Sequence, residues 1–335
     1  MHFDRANRNF LVLAGIALVP YLVLMIVGCG LVTVFVVRVF DHGLGFLTAG
    51  PGDLRAAAVV LVLLFVGAAS ALYAFVEQYV ATARLAARVR AGRIPVSEPL
   101  RDVAFRAGIA DRVRLVDDSD RYSFTYGLTR RRVAVSRGLV DVASPDELAA
   151  VLTHEQYHVA NLDPLKIVLA RVLSSAYFFL PALRGLRARY SAASELAADR
   201  TALRACGRAS LAGALHQVVR GPDWSELHIA AAIGGAELLE LRIAQMEANE
   251  EPEITAVPIW AMALTILALV AFASVVFGTI AAIGGPDAMG RQMMGRVSDG
   301  MGMSVADAAA GLLPWVLLVS VAALAWHRSQ AAYSP

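Results

Sequence analysis

Cysteine and lysine are almost missing from this chain. Its 335 residues include 2 cysteines, Cys29 and Cys206, and one lysine, Lys166, beside 29 arginines. Two isolated cysteines make neither a disulfide framework nor a cysteine-rich zinc site, so both are expected to be inert thiols. Charge is scarce as well: charged residues make up 17% of the chain and the net charge is +2. So nearly neutral a chain has no electrostatic footprint for nucleic acid, and none is expected as a partner. Aspartate, glutamate, lysine and arginine are absent altogether from residues 10–37, 56–76, 256–286 and 308–326.

What is abundant is apolar surface. Hydrophobic residues reach 58%, against roughly 45–50% for a soluble domain, and the mean hydropathy is +0.59. The uncharged runs are 28, 21, 31 and 19 residues long, and a helix crosses the hydrocarbon core with about 20. The first run exceeds the apolar core of a signal peptide, about 7–15 residues, so an uncleaved span is expected. Arg5 and Arg8 precede the first run, and Arg84, Arg88, Arg90 and Arg93 crowd the exit of the second. By the positive-inside rule both termini and the segment between the second and third runs face the cytoplasm. Arg291 and Arg296, in the last outer loop, count against that orientation. The expectation is a multi-pass protein of the cytoplasmic membrane, in contact with lipid. Residues 1–94 would hold two transmembrane helices and a cytoplasmic helical extension, 95–255 a cytoplasmic domain, and 256–335 two more transmembrane helices and a tail. Spans without ionisable residues argue against a transporter or channel.

The chemistry lies in His154-Glu155-Gln156-Tyr157-His158, an HExxH sequence. On a helix the two histidines fall one turn apart on one face and offer two imidazole nitrogens to one metal. Glu155, beside that face, is placed to take a proton from a water held there. A helix is indicated by Ser144-Pro145-Asp146-Glu147, which reads as a capping box with proline at the first helical position. Leu148, Val151 and Leu152 continue it as an apolar stripe. A zinc enzyme needs a third protein ligand and one open position. Glu195 and Asp199, one turn apart in the helix-forming segment 191–205, supply a ligand and a carboxylate that orients a histidine ring.

The run His154-Glu155-x-x-His158, then Asp163-Pro164-Leu165, then Glu195-x-x-x-Asp199 resembles the BlaR/MecR-type membrane metallopeptidases, over roughly residues 95–220. Upstream, Phe124-Thr125-Tyr126-Gly127 and Val133-Ala134-Val135 are similar to the strand pair before the motif in that family. The resemblance implies a gluzincin, with one zinc per chain held by two histidines and a glutamate. With the four uncharged runs, the expectation is a mainly α-helical integral membrane protein, with four transmembrane helices and a cytoplasmic α+β zincin-like metallopeptidase domain containing a small sheet. The HtpX-type and CAAX prenyl proteases share the ligand set. The separation of 37 residues from His158 to Glu195 is that of the BlaR/MecR type. Two spans before the motif and two after is the HtpX-like layout. Tyr157 stands where these families commonly carry a small residue. The 9 residues after Trp326 leave no penicillin-binding sensor, so a direct antibiotic receptor is not expected.

Around the motif, residues 113–116, 121–127 and 132–136 read as short strands, with Asp117-Asp118-Ser119-Asp120 as a turn between the first two. The helix after the second run is expected to stop before Pro95. Residues 165–180, ended by Pro181, read as a scaffold helix behind the zinc helix, because Lys166 and Arg171 would be costly in lipid. The strand at Ser123, Phe124, Thr125, Tyr126 and Gly127 is a candidate sheet edge that takes an extended peptide by strand addition. Tyr157, Tyr190, Arg200, His216 and His228 are candidates for the donor to a tetrahedral oxyanion. The reading is a membrane-embedded zinc endopeptidase acting on a protein or peptide substrate. The alternative is a catalytically quiet zinc-binding membrane regulator that works through protein binding. Repressor cleavage, quality control and the oligomeric state are not distinguished by these residues.

Overall fold

The computed structural model describes residues 5–18, 52–219, 235–248 and 250–283. Residues 5–18 are helical (α1). They are followed by α2 (Gly52–Ala91), β1 (Arg93–Ile94), α3 (Glu98–Arg106), β2 (Val113–Val116), β3 (Ser123–Tyr126), β4 (Arg132–Ser136) and α4 (Arg137–Val142). Six further helices complete the order: α5 (Pro145–Asn161), α6 (Asp163–Ala176), α7 (Pro181–Cys206), α8 (Arg208–Val219), α9 (Gly235–Ala248) and α10 (Ile259–Ile283).

The strands form one sheet in the order β1-β2-β4-β3, with β2 and β4 parallel and the outer pairs antiparallel. β2 and β4 have the expected bounds, β4 with its alternating Val133 and Val135, and β3 is shorter than residues 121–127. It ends because Gly127 turns the chain at φ 90°, where a Cβ would stand 2.6 Å from the Arg130 carbonyl oxygen. The two-residue β1 is too short to carry a periodic signal, and its partners Leu115 and Val116 define it. The acidic turn at 117–120 is built from local bonds: Asp118 Oδ1 accepts from the Asp120 amide at 3.0 Å. β3 lies at the sheet edge.

One face of the sheet and helix α3 close on α5 and α8 around Leu100, Val113, Val135, Leu148, Leu152 and Leu211. α5 begins as its sequence predicts. Ser144 Oγ accepts from the Glu147 amide at 3.3 Å, and Glu147 Oε2 accepts from the Ser144 amide at 2.7 Å. Gly213 lets α8 press on that cap, since a Cβ there would sit 2.1 Å from Glu147 Oε1. Leu162, left-handed at φ 65°, ends α5 and turns the chain at once into α6.

Pro181 does not stop a helix, as the reading of residues 165–180 had it. α6 ends at Ala176 and Pro181 opens α7, whose 26 residues extend well beyond the expected 191–205. Proline fits there because the first helical turn has no use for its missing N–H. Both basic side chains of α6 are bonded within the protein. Lys166 is buried among asparagine oxygens, and Arg171 reaches Glu77 Oε2 at 2.7 Å and Gln78 Oε1 at 2.8 Å.

The chain separates into two contact units, one of residues 1–14, 71–173 and 184–256, the other of 15–70, 174–183 and 257–335. The first contains the sheet and α5. In the second, Gly67 approaches the Ala176 carbonyl, the Ala182 amide donates to Thr265 Oγ1 at 3.0 Å, and Phe179 stacks on Phe272. Among the described residues one helix is long and apolar enough to cross a membrane, Val62–Ala91, 30 residues; Ile259–Ser274 is a shorter apolar helix. Of the four expected spans, the second overlaps the candidate helix Val62–Ala91 and the third coincides with the apolar helix α10. The expected first span lies largely, and the fourth wholly, outside the described residues.

Candidate metal centre

The helical period of α5 places His154 and His158 one turn apart, and their Nε2 atoms lie 3.1 Å from each other. α7 crosses that face and brings in Glu195, with Oε2 at 3.4 Å from His154 Nε2 and Oε1 at 3.6 Å from His158 Nε2. All the ligand atoms of this group fall within 4.8 Å of one another. Zinc bonds of about 2.0–2.1 Å in a tetrahedron give ligand-to-ligand edges of about 3.3–3.4 Å. The two nitrogens stand 3.1 Å apart and each has a Glu195 oxygen within 3.6 Å, so the donor set suits such an ion in number and type and needs only small shifts to reach its spacing.

The far nitrogen of each ring is held by a carboxylate. His154 Nδ1 lies 2.8 Å from Asp199 Oδ1, and His158 Nδ1 lies 2.6 Å from Asp163 Oδ2. A carboxylate only accepts, so Nδ1 of each ring carries a proton, and Nε2, which faces Glu195, is the atom left to meet a metal. Asp163 is itself fixed by Tyr190 Oη at 2.8 Å, Asn161 Nδ2 at 2.7 Å and Ser194 Oγ. Asp199 accepts Arg242 Nε at 2.6 Å and Nη2 at 2.8 Å, while Arg242 Nη1 stands 3.8 Å from Glu195 Oε2.

Burial opposes the charged form of every group here, and the mutual contacts outweigh it. Without a metal, the bond to Asp199 and the proximity of Glu195 raise the His154 pKa to about 10. His158 is raised as well, through Asp163 and Glu195. Against burial, His154, His158 and Arg242 hold the Glu195 carboxyl well below the usual range, and Arg242 and His154 bring Asp199 to about 2. The centre keeps its carboxylates ionised and ready to receive a cation.

Glu155 is buried on the same helix, and Thr125 Oγ1 of β3 donates to its Oε2 at 2.7 Å. A cleft opens over these groups, lined by Ser123, Phe124 and Thr125 of β3 and by Leu211, Leu215 and Val218 of α8. Of the five candidate edge residues, Ser123, Phe124 and Thr125 line it. Tyr126 packs instead against Leu85, Val89 and Ala134, and Gly127 lies in the turn. Among the oxyanion candidates, Tyr190 is fully buried and committed to Asp163, Arg200 pairs with Glu251, and His216 faces outward. Tyr157 packs edge-on to His158, and His228 lies outside the described residues.

Three participants escaped the sequence reading. Asp163 stood in the quoted Asp163-Pro164-Leu165 run without a role. Thr125 had been read only as substrate edge. Arg242, 84 residues after His158, sits in a stretch that reads only as charged and polar.

Residues 96–189 match Peptidase family M48. The matched segment runs from the residues before α3 into α7 and contains the sheet strands β2 to β4 and the HExxH helix. The similar curated proteins carry HtpX names, the family that the membrane layout had resembled. The chain is 50% identical over 48 residues to Protease HtpX homolog 2 of Methanosarcina mazei, covering 14% of this chain and 16% of that protein. It is 37% identical over 92 residues to Protease HtpX homolog of Nitrosomonas eutropha, covering 26% and 32%. It is 29% identical over 156 residues to Protease HtpX homolog of Streptococcus equi subsp. equi, covering 44% and 50%. The chain thus spans between 16% and 50% of the length of these relatives. No solved structure matches it.

Proposed function

We propose that the protein is a membrane-embedded zinc endopeptidase that cleaves extended segments of cytoplasmic or membrane proteins. The observation that carries this reading is the meeting of His154, His158 and Glu195 around one point, with the carboxylate of Glu155 beside it. When bound there, zinc supplies Lewis-acid polarisation of the scissile carbonyl and acidifies the attacking water. Glu155 accepts the proton of that water and returns it to the leaving amine. The Thr125 hydroxyl holds the Glu155 carboxylate in one orientation, which removes the entropy of finding it at each turnover. Asp199 and Asp163 keep the histidine lone pairs directed inward, and Arg242 offsets the accumulated negative charge.

Substrate binding follows from the edge position of β3. The Ser136 amide donates to the Tyr122 carbonyl, and antiparallel pairing alternates, so residues 123 and 125 turn their backbone groups away from β4. An extended peptide adds to that edge by main-chain bonds. The Ser123 hydroxyl, buried in the cleft wall and without a partner among the described residues, is a further donor for it. The apolar wall of α8 favours an apolar side chain beside the scissile bond. A proline at Thr125 would also remove the hydroxyl on Glu155, so Ser123→Pro is the cleaner edge variant.

Membrane anchoring is supported by Val62–Ala91 and by outward apolar side chains such as Phe65, 76% exposed, and Ile259, 70% exposed. The arginines clustered at the C-terminal end of α2 favour a cytoplasmic domain. The deciding comparison uses full-length protein in detergent. Glu155→Ala should keep about one zinc per chain and lose peptide cleavage, whereas His158→Ala should lose both. Cleavage surviving in metal-loaded Glu155→Ala would refute the mechanism. Zinc binding without cleavage in the unaltered protein would favour the quiet regulator.

A further inference from the structure

We infer that Asn7, on the N-terminal helix, is a positioning residue for the metal ligand His158. This rests on the metallopeptidase reading, and it concerns a part of the chain far from the HExxH helix in sequence.

α1 is built into the metal-site unit. Ala6, Asn7 and Leu13 are each at most 4% exposed, and Ala6 and Phe10 join Tyr190 and Leu196 in one apolar cluster. A buried amide is costly unless its polar atoms are bonded. The amide of Asn7 is bonded at both ends. Its Nδ2 donates to Asn161 Oδ1 at 2.9 Å, and its Oδ1 accepts from Lys166 Nζ. Lys166 Nζ also donates to Asn161 Oδ1, at 2.9 Å. Asn161 in turn donates from Nδ2 to Asp163 Oδ1 at 2.7 Å, and Asp163 Oδ2 holds His158 Nδ1 at 2.6 Å.

The relay has a direction. Two donors, the Asn7 amide and the Lys166 ammonium, meet the same oxygen of Asn161. Rotating the Asn161 amide by half a turn would set its N–H groups against both donors and its oxygen against the Asp163 carboxylate. Asn7 and Lys166 thereby fix which end of Asn161 faces Asp163. A second arm runs in parallel: Phe10 packs on Tyr190 with ring centroids 5.4 Å apart, and Tyr190 donates to the same Asp163 Oδ1. Asn161 and Tyr190, which both donate to that oxygen, are therefore each in contact with α1. Partners of this kind set ring orientation and basicity, and removing one typically lowers metal affinity about 10–100-fold.

The test is zinc affinity of the full-length protein in detergent, read by competition with a chelating dye, with the cobalt absorption spectrum reporting ligand geometry. Asn7→Ala should weaken zinc binding about tenfold and alter the cobalt bands. Asn7→Asp keeps the volume and the Lys166 contact but removes the N–H given to Asn161. It should weaken binding in the same direction, and it decides the matter if Asn7→Ala does not fold. Leu13→Ala, a packing lesion in the same helix, should lower the melting temperature with little change in zinc affinity. Asn161→Ala should weaken zinc binding by itself, and adding Asn7→Ala to it should cause no further loss. The inference is overturned if the folded Asn7 variants bind zinc as the parent does. It is equally overturned if Leu13→Ala loses as much affinity, or if the effect of Asn7→Ala persists undiminished without Asn161. Failure of the unaltered protein to bind zinc would instead reject the metallopeptidase reading.

Discussion

Arg242 grips both oxygens of the Asp199 carboxylate, its Nε on Oδ2 at 2.6 Å and its Nη2 on Oδ1 at 2.8 Å. Asp199 is fully buried, so this guanidinium is what makes a permanent carboxylate tolerable behind His154. Removing it as Arg242→Met should cost on the order of 3 kcal/mol of folding stability. It should also weaken zinc binding by about tenfold, because the His154 ring loses its fixed acceptor. Arg242→Lys keeps the charge without the planar fork and should fall between the two. Denaturant unfolding and zinc competition measure both effects. A lysine variant no better than methionine would show that the fork, and not the charge, carries the role.

Thr125 bridges the substrate edge and the proposed base. Thr125→Val preserves shape and deletes the hydroxyl that meets Glu155 Oε2 at 2.7 Å. Turnover should drop by about tenfold, less than the roughly 100-fold or more that a positioned acid–base group itself contributes, with zinc content unchanged. Glu155 remains, and only its orientation is loosened. Steady-state kinetics on a metal-loaded sample provides the check, and an unaltered kcat would remove Thr125 from the machinery.

Metal uptake should release protons. Without zinc, His154 titrates at about 10 because Asp199 and Glu195 outweigh burial, so it is an imidazolium at neutral pH. A raised value means that this charge stabilises the metal-free protein fully below the ordinary histidine value of 6.5 and is lost as pH climbs through about 10. Zinc takes only the neutral ring, so binding must expel that proton and should tighten as pH rises toward 10. Calorimetry in two buffers of different ionisation heat reads the stoichiometry. Zinc binding with no proton released near neutral pH would contradict the charge state assigned to His154.

How much of this was legible in the chain depends on the distance over which each feature is decided. The cap at Ser144 and Glu147, the spacing of His154 and His158, and the bounds of β2 and β4 are set within one turn or one alternation. Residues that close in sequence impose their geometry through the backbone period alone. Pro181 shows the limit even at short range, because proline marks the boundary of a helix equally well from either side, and only packing selected the start of α7.

The sequence by itself determined that two imidazoles share a helical face, that a carboxylate pair one turn apart lies downstream, and that long apolar runs flank both. Tertiary structure alone decided that Glu195 meets those imidazoles, that Arg242 neutralises Asp199, that Thr125 reaches Glu155, and that the N-terminal helix ends in a relay to His158. The reason is physical. A period fixes which residues share a face, but a contact between distant elements depends on how those faces pack. Such a pairing leaves no repeating trace along the chain.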